Sequence, residues 1–118
     1  MKLINSIKDA MTKDSFSVVG SMTIAELSNK FLRTFGCALR VYKGKQLADG
    51  RMTINALNRR VTEKVNKNAG ELKIKATEKI GDVEYKFKAH FGLTVQVADR
   101  HNSKLLPNNV TLGEGSRM

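Results

Sequence analysis

The sequence predicts an α+β domain built from a duplicated βαβ unit, with one extra helix ahead of the first unit and another between the two. Three observations lead there. A stretch of chain repeats itself, each copy switches between a period of two and a helical period, and a glycine follows each helical stripe at the same place. Phe16–Tyr42 aligns with Leu72–Ala98 at an offset of 56 without a gap, and six of the 27 positions are identical: Ile24/Ile80, Lys30/Lys86, Phe31/Phe87, Phe35/Phe91, Gly36/Gly92 and Val41/Val97. Phe16/Leu72, Val18/Ile74, Leu27/Val83 and Leu39/Val95 keep apolar character. A two-residue insertion in the second copy then extends the match, Leu47, Met52, Thr53 and Ile54 facing Leu105, Val110, Thr111 and Leu112. Two βαβ units in series give β-α-β-β-α-β. The commonest closure of that order is a ferredoxin-like sandwich, both helices on one face of a single antiparallel sheet. The alternative is a duplicated α/β unit with its own pairing order.

The elements follow in order. Residues 1–13 place Leu3, Ile4, Ile7, Ala10 and Met11 on one face, an amphipathic helix that needs a cover. That cover is a sheet face, a second copy of the chain or a membrane surface. The last is disfavoured, because Asp9 and Asp14 offset Lys2, Lys8 and Lys13 and no bulky aromatic is present. The first unit spans residues 16–54 and the second 71–113. Phe16 and Val18, then Leu72, Ile74 and Ala76, alternate as half-buried strands do. Ile24, Leu27, Phe31, Phe35 and Ile80, Val83, Phe87, Phe91 recur at i, i+3, i+7, i+11, one helical stripe each. At that spacing they read as core, not as a ligand pocket. Thr23-x-x-Glu26 has the form of a capping box; the second unit has Lys79 at the matching place, so Thr77 is the expected cap there. Gly36 and Gly92 stand where a left-handed residue ends a helix without a Cβ penalty. Cys37, Leu39, Val41 and Leu93, Val95, Val97 alternate as second strands. Between the units, residues 55–70 read as a connecting helix, with Ile54, Leu57, Val61 and Val65 as its stripe and Asn68-Ala69-Gly70 as its end.

Composition narrows the classes of function. At 118 residues, with no Pro- or Ser-rich linker, the chain reads as a single domain, 1–118. No apolar run approaches the roughly 18 residues of a membrane span. Met1–Thr12 lacks the apolar core of a signal peptide, and a lone Cys37 excludes an internal disulfide or a Cys-rich zinc site. The expected compartment is the cytoplasm. Cys37 matches Leu93 and reads as a small buried residue, not a reactive thiol.

The net charge of +10 suits either an anionic partner or a surface of well-solvated lysines. Arg59, Arg60, Lys64 and Lys67 fall on the polar side of the connecting helix; Lys73 and Lys75 alternate with Leu72 and Ile74. In a ferredoxin-like sandwich Arg40 and Tyr42 would join those lysines on the open sheet face. These seven basic residues are the candidate nucleic-acid-binding set, acting on phosphates without reading sequence. An RNA-recognition motif would need stacking aromatics where Lys73 and Lys75 stand, which argues against sequence-specific reading. Asp99-Arg100-His101-Asn102-Ser103 gathers an acid, an imidazole and a hydroxyl, but adjacency in sequence is not active-site geometry, and it reads as a polar turn. His90 reads as a surface helical residue. No phosphate-cradling loop or metal-ligand spacing is present, so no catalytic, cofactor or metal residue is assigned. The favoured reading is a non-enzymatic basic binding module with nucleic acid as partner; the alternative is a module that binds a protein or a second copy of itself.

The phrases KFLRTFGCALRVYKGKQLAD and FKAHFGLTVQVADRHNSKLLPNNVTLGEG resemble a group of small bacterial proteins, mostly from gut Bacteroidetes, some labelled viral A-type inclusion proteins. These share FG-x-x-[LV]-x-V at the start of a strand and a C-terminal N-x-S-K-L…N-x-x-T-L segment. The resemblance covers roughly residues 23–54 and 71–113. It implies the duplicated unit and adds no catalytic residue.

Overall fold

The computed structural model describes residues 15–58 and 70–118. Their order is β1 (Ser15–Val18), α1 (Ile24–Phe35), β2 (Ala38–Lys43), β3 (Gln46–Leu47), α2 (Ile54–Asn58), β4 (Leu72–Lys75), α3 (Ile80–Phe91), β5 (Thr94–Ala98) and α4 (Leu112–Gly115). The described residues form an α+β domain with two antiparallel sheets and four helices. The N-terminal helix expected over 1–13, and the connecting helix beyond its first residues at α2, with Val61 and Val65, lie outside the described residues.

Both helical stripes are buried: Ile24, Leu27, Phe31 and Phe35 on α1, Ile80, Val83, Phe87 and Phe91 on α3. They join Val18, Ile54, Leu57, Leu72, Ile74, Leu112 and the inward residues of β2 and β5 in one core cluster. Phe16 closes it at one end, its ring 5.9 Å from that of Phe31 and 5.2 Å from that of Phe35. Gly36 and Gly92, at φ 72° and 76°, end the two long helices in the left-handed region as their positions predict.

The sheets depart from the ferredoxin-like expectation. That closure requires one four-stranded sheet with β2 bonded to β4. β4 pairs with β1, as that closure also has it, but β2 pairs with β5 on one edge and β3 on the other. The reason lies in how the edges are occupied. A tight turn after Lys43 folds Gln46–Leu47 back onto the outer edge of β2, and in the second half Leu106 N donates to Val97 O at 3.0 Å along the outer edge of β5. With its inner edge on β5, β2 has no side left for β4. The pairing is the chain's own, and its register is unchanged when the halves are exchanged. Ser17 stands opposite its counterpart Lys73, and Arg40 opposite its counterpart Gln96.

The helix starts account for the loops. The first amides of a helix have no partner inside it. For α1, Ile24 N donates to Met52 O at 2.8 Å, Ala25 N to Gly50 O at 2.9 Å and Glu26 N to Thr23 Oγ1 at 3.1 Å. For α2, Ile54 N donates to Met22 O, Asn55 N to Gly20 O and Ala56 N to the Thr53 hydroxyl. The two starts therefore satisfy each other across the Thr23–Thr53 bridge. The same pattern recurs in the second half, where Ile80 N donates to Val110 O, Gly81 N to Asn108 O, Leu112 N to Glu78 O and Gly113 N to Ala76 O across the Lys79–Thr111 bridge. Thr23–Glu26 and Thr111–Glu114 both form complete capping boxes.

One position breaks the pattern. Lys79, not Thr77, is the N-cap of α3, and it offers no side-chain bond. A lysine has no acceptor to give the Asp82 amide. We expect Lys79→Thr to raise stability by about 0.5–1 kcal/mol and Thr23→Ala to lower it by about 1 kcal/mol in urea unfolding. Thr77→Ala should stay within about 0.5 kcal/mol of the parent.

Candidate nucleic-acid interface

The alternation of β4 buries Leu72 and Ile74 and exposes Lys73 and Lys75. In register, Ser17 faces Lys73 and Ser15 faces Lys75. Glu78, just past the strand, accepts Lys75 N–H at 2.9 Å and Lys86 Nζ at 2.6 Å, and Lys86 Nζ also donates to Lys73 O at 2.9 Å. The Glu78–Lys86 pair thus pins β4 to α3 through its backbone. The two ion pairs among the described residues are Lys86–Glu78 and Arg51–Asp49, so the ammonium groups of Lys73 and Lys75 project without an acid.

Acids elsewhere are drawn into the framework. Glu26, Asp49, Glu78, Glu84, Asp99 and Glu114 each accept a backbone N–H, from Thr23, Arg51, Lys75, Val97, Ser103 and Thr111 respectively. Glu71 and Asp82 stay exposed, so the framework takes up these six carboxylates and not every acid.

Arg40 has a different place from the one expected of it. It belongs to the other sheet, so Arg40 and Tyr42 do not share a sheet face with Lys73 and Lys75. Its Nε donates to Asn102 Oδ1 at 2.6 Å and its Nη2 to Asn102 O at 3.2 Å. Asn102 carries a φ of 57°, and the guanidinium fork holds it there. The Tyr42 hydroxyl donates to Gln96 Oε1 at 2.8 Å. Arg59, Arg60, Lys64 and Lys67 lie outside the described residues. Two lysines that the sequence reading passed over, Lys43 and Lys45, are exposed at the tip of the β2–β3 hairpin. The Lys-Gly-Lys string between a strand and its return was the available signal. Tyr85, also passed over, is 71% exposed on α3.

The segment Asp99–Ser103 is a turn. Asp99 Oδ1 accepts Ser103 N–H at 2.7 Å, Oδ2 accepts the Ser103 hydroxyl at 2.5 Å, and Asn102 N donates to Asp99 O. The Ser103 bonds hold the Asp99 carboxyl below its usual range. Acid and hydroxyl are spent on each other. His90 is a partly exposed residue of α3, as its position predicts; its Nε2 lies 3.0 Å from Gly70 O and its ring meets Phe91 edge-on. Among the described residues no three His, Cys, Asp or Glu side chains gather into a metal site, and no helix is long and apolar enough to cross a membrane. No protein-family model, curated protein or solved structure matches the chain.

Cys37 is fully buried, its Sγ 3.6 Å from Leu112 O. Burial pushes the thiol up to about 11, against a smaller opposing pull from Arg100. A raised value means less thiolate at pH 8, so a disulfide reagent should react with the native protein about a hundredfold more slowly than with the urea-unfolded chain. The same shift leaves its share of stability intact below 9.0 and removes it as pH climbs through about 11.

Proposed function

We propose that the chain is a small basic, non-enzymatic binding module that contacts nucleic acid through its phosphates and without sequence preference. The observation that carries this is Lys73 and Lys75 side by side on an outward strand face, neither in an ion pair among the described residues. Lys43 and Lys45 on the hairpin tip add to it, and the whole-chain charge of +10 supplies a long-range attraction. Arg59, Arg60, Lys64 and Lys67 remain part of the proposed set on sequence grounds, whereas the bonds of Arg40 to Asn102 support a positioning role for it. The proposal takes the two halves as one duplicated unit, as in the small bacterial proteins the sequence resembles, and the recurring hydrogen bonds support that. The lone buried cysteine supports a reducing, cytoplasmic setting.

A second reading, a protein-binding or self-associating module, is favoured by Leu47 and Leu105. These occupy equivalent places in the two halves and are 62% and 44% exposed. A dimer indifferent to salt and lost in the Leu47→Glu, Leu105→Glu variant is the light-scattering result that reading requires.

Fluorescence anisotropy with short labelled DNA and RNA separates them. Affinity should fall tenfold or more between about 50 and 200 mM salt, and Lys73→Glu with Lys75→Glu should flatten the log–log salt slope on duplex DNA by about two. Absence of binding at 50 mM salt overturns the nucleic-acid reading.

A further inference from the structure

The two halves differ in one place that bears on a ligand. In the second half Glu84 reaches from α3 to the outer edge of β5, where its Oε2 accepts Val97 N–H at 3.2 Å. Val97 O accepts Leu106 N–H at 3.0 Å, so both backbone groups of Val97 point away from β2. The counterparts in the first half, by the offset of 56, are Ser28 for Glu84 and Val41 for Val97. Val41 O accepts Ala48 N–H at 2.8 Å, the equivalent bond. In an antiparallel ladder the N–H and C=O of one residue point to the same side. Val41 N–H therefore faces the outer edge too, and among the described residues nothing accepts it. Ser28 is too short to do what Glu84 does; its hydroxyl donates to Leu39 O over a long 3.4 Å.

A pocket of about 180 Å³ opens at this point. Ser28, Leu39 and Val41 line it with Ile24, Ala25 and Ala48, and Arg40 borders it. The volume is below the roughly 300–1,000 Å³ of a drug-sized site, so it suits a ligand of a few carbon atoms. We propose that this pocket binds the carboxylate of a short aliphatic acid, which accepts the Val41 N–H as Glu84 accepts that of Val97. Ser28 Oγ, released from Leu39 O, is the second donor. The alkyl tail lies on Ile24, Ala25 and Ala48, and the guanidinium of Arg40 at the border favours an anion. The proposal is independent of the nucleic-acid reading, because it uses none of the outward lysines.

The probe is sodium butyrate, titrated into the full ¹⁵N-labelled chain against sodium chloride at equal ionic strength and against butyramide. The expected result is a saturable shift of the Val41 amide with butyrate alone. Ser28→Glu supplies the missing carboxylate from the chain itself, so its Val41 amide should shift without ligand and no longer respond to butyrate. Ala25→Leu, a change at an exposed position, fills the apolar end and should weaken butyrate at least about tenfold. A Val41 amide that ignores butyrate, or that moves equally with butyramide or chloride, overturns the proposal. So does undiminished butyrate binding in either variant, and Ala25→Leu keeps the test open where Ser28→Glu does not fold.

Discussion

Helix starts in this protein are completed by backbone from elsewhere in the chain, and the rest of the architecture hangs on that. An amide buried without an acceptor costs about 1–3 kcal/mol, and each helix begins with four that its own turns leave unpaired. Here the corner before α1 and the corner before α2 exchange carbonyls, and the corners before α3 and α4 do the same. Each exchange ties two irregular segments into one unit. The loops that carry Gly20, Met22, Gly50 and Met52, or Ala76, Glu78, Asn108 and Val110, are thereby fixed without regular secondary structure. A helix of four residues such as α4 is not stable by propensity; it persists because its first amides and Leu112 are both already claimed.

That framework also distributes charge. The acids that cap helices, close turns and bridge strand to helix are the ones whose oxygens face backbone amides, while the lysines on β4 and on the hairpin tip make no ion pair among the described residues. The basic surface follows from a division of labour between signs. Glu84 shows what the framework tolerates: burial raises its carboxyl above the ordinary range, against the Val97 amide that lowers it. A group so shifted makes the fold less stable as pH rises above 4.5.

Much of the fold was legible from spacing alone. The stripes of α1 and α3, the ends at Gly36 and Gly92 and the burial of Cys37 were written in period and position, because local geometry decides them. Strand pairing was not, since nothing in the alternation of Leu39 and Val41 says whether β4 or β5 lies beside them. The cap of α3 was misplaced for a related reason. Tertiary carbonyls from Asn108 and Val110 hold that helix start, so a residue with no capping ability survives at 79. The last helix was announced by Thr111-x-x-Glu114, the same phrase as Thr23-x-x-Glu26, but four residues carry no periodicity to confirm it. Of the candidate site, Lys73 and Lys75 were readable from alternation. The engagement of Arg40 by Asn102 spans 62 positions and had no local signature.

The register that sets Ser17 against Lys73 and Arg40 against Gln96 has a consequence for how such a fold can exist in one chain. Were two identical halves to associate in this register, each residue at the centre of a sheet would meet a copy of itself. Lysine against lysine or arginine against arginine, directly opposite, is repulsive. Joining the halves covalently lets their sequences drift apart, so that one side of each central pair stays neutral. A cation that self-association would disfavour becomes admissible in the middle of both sheets.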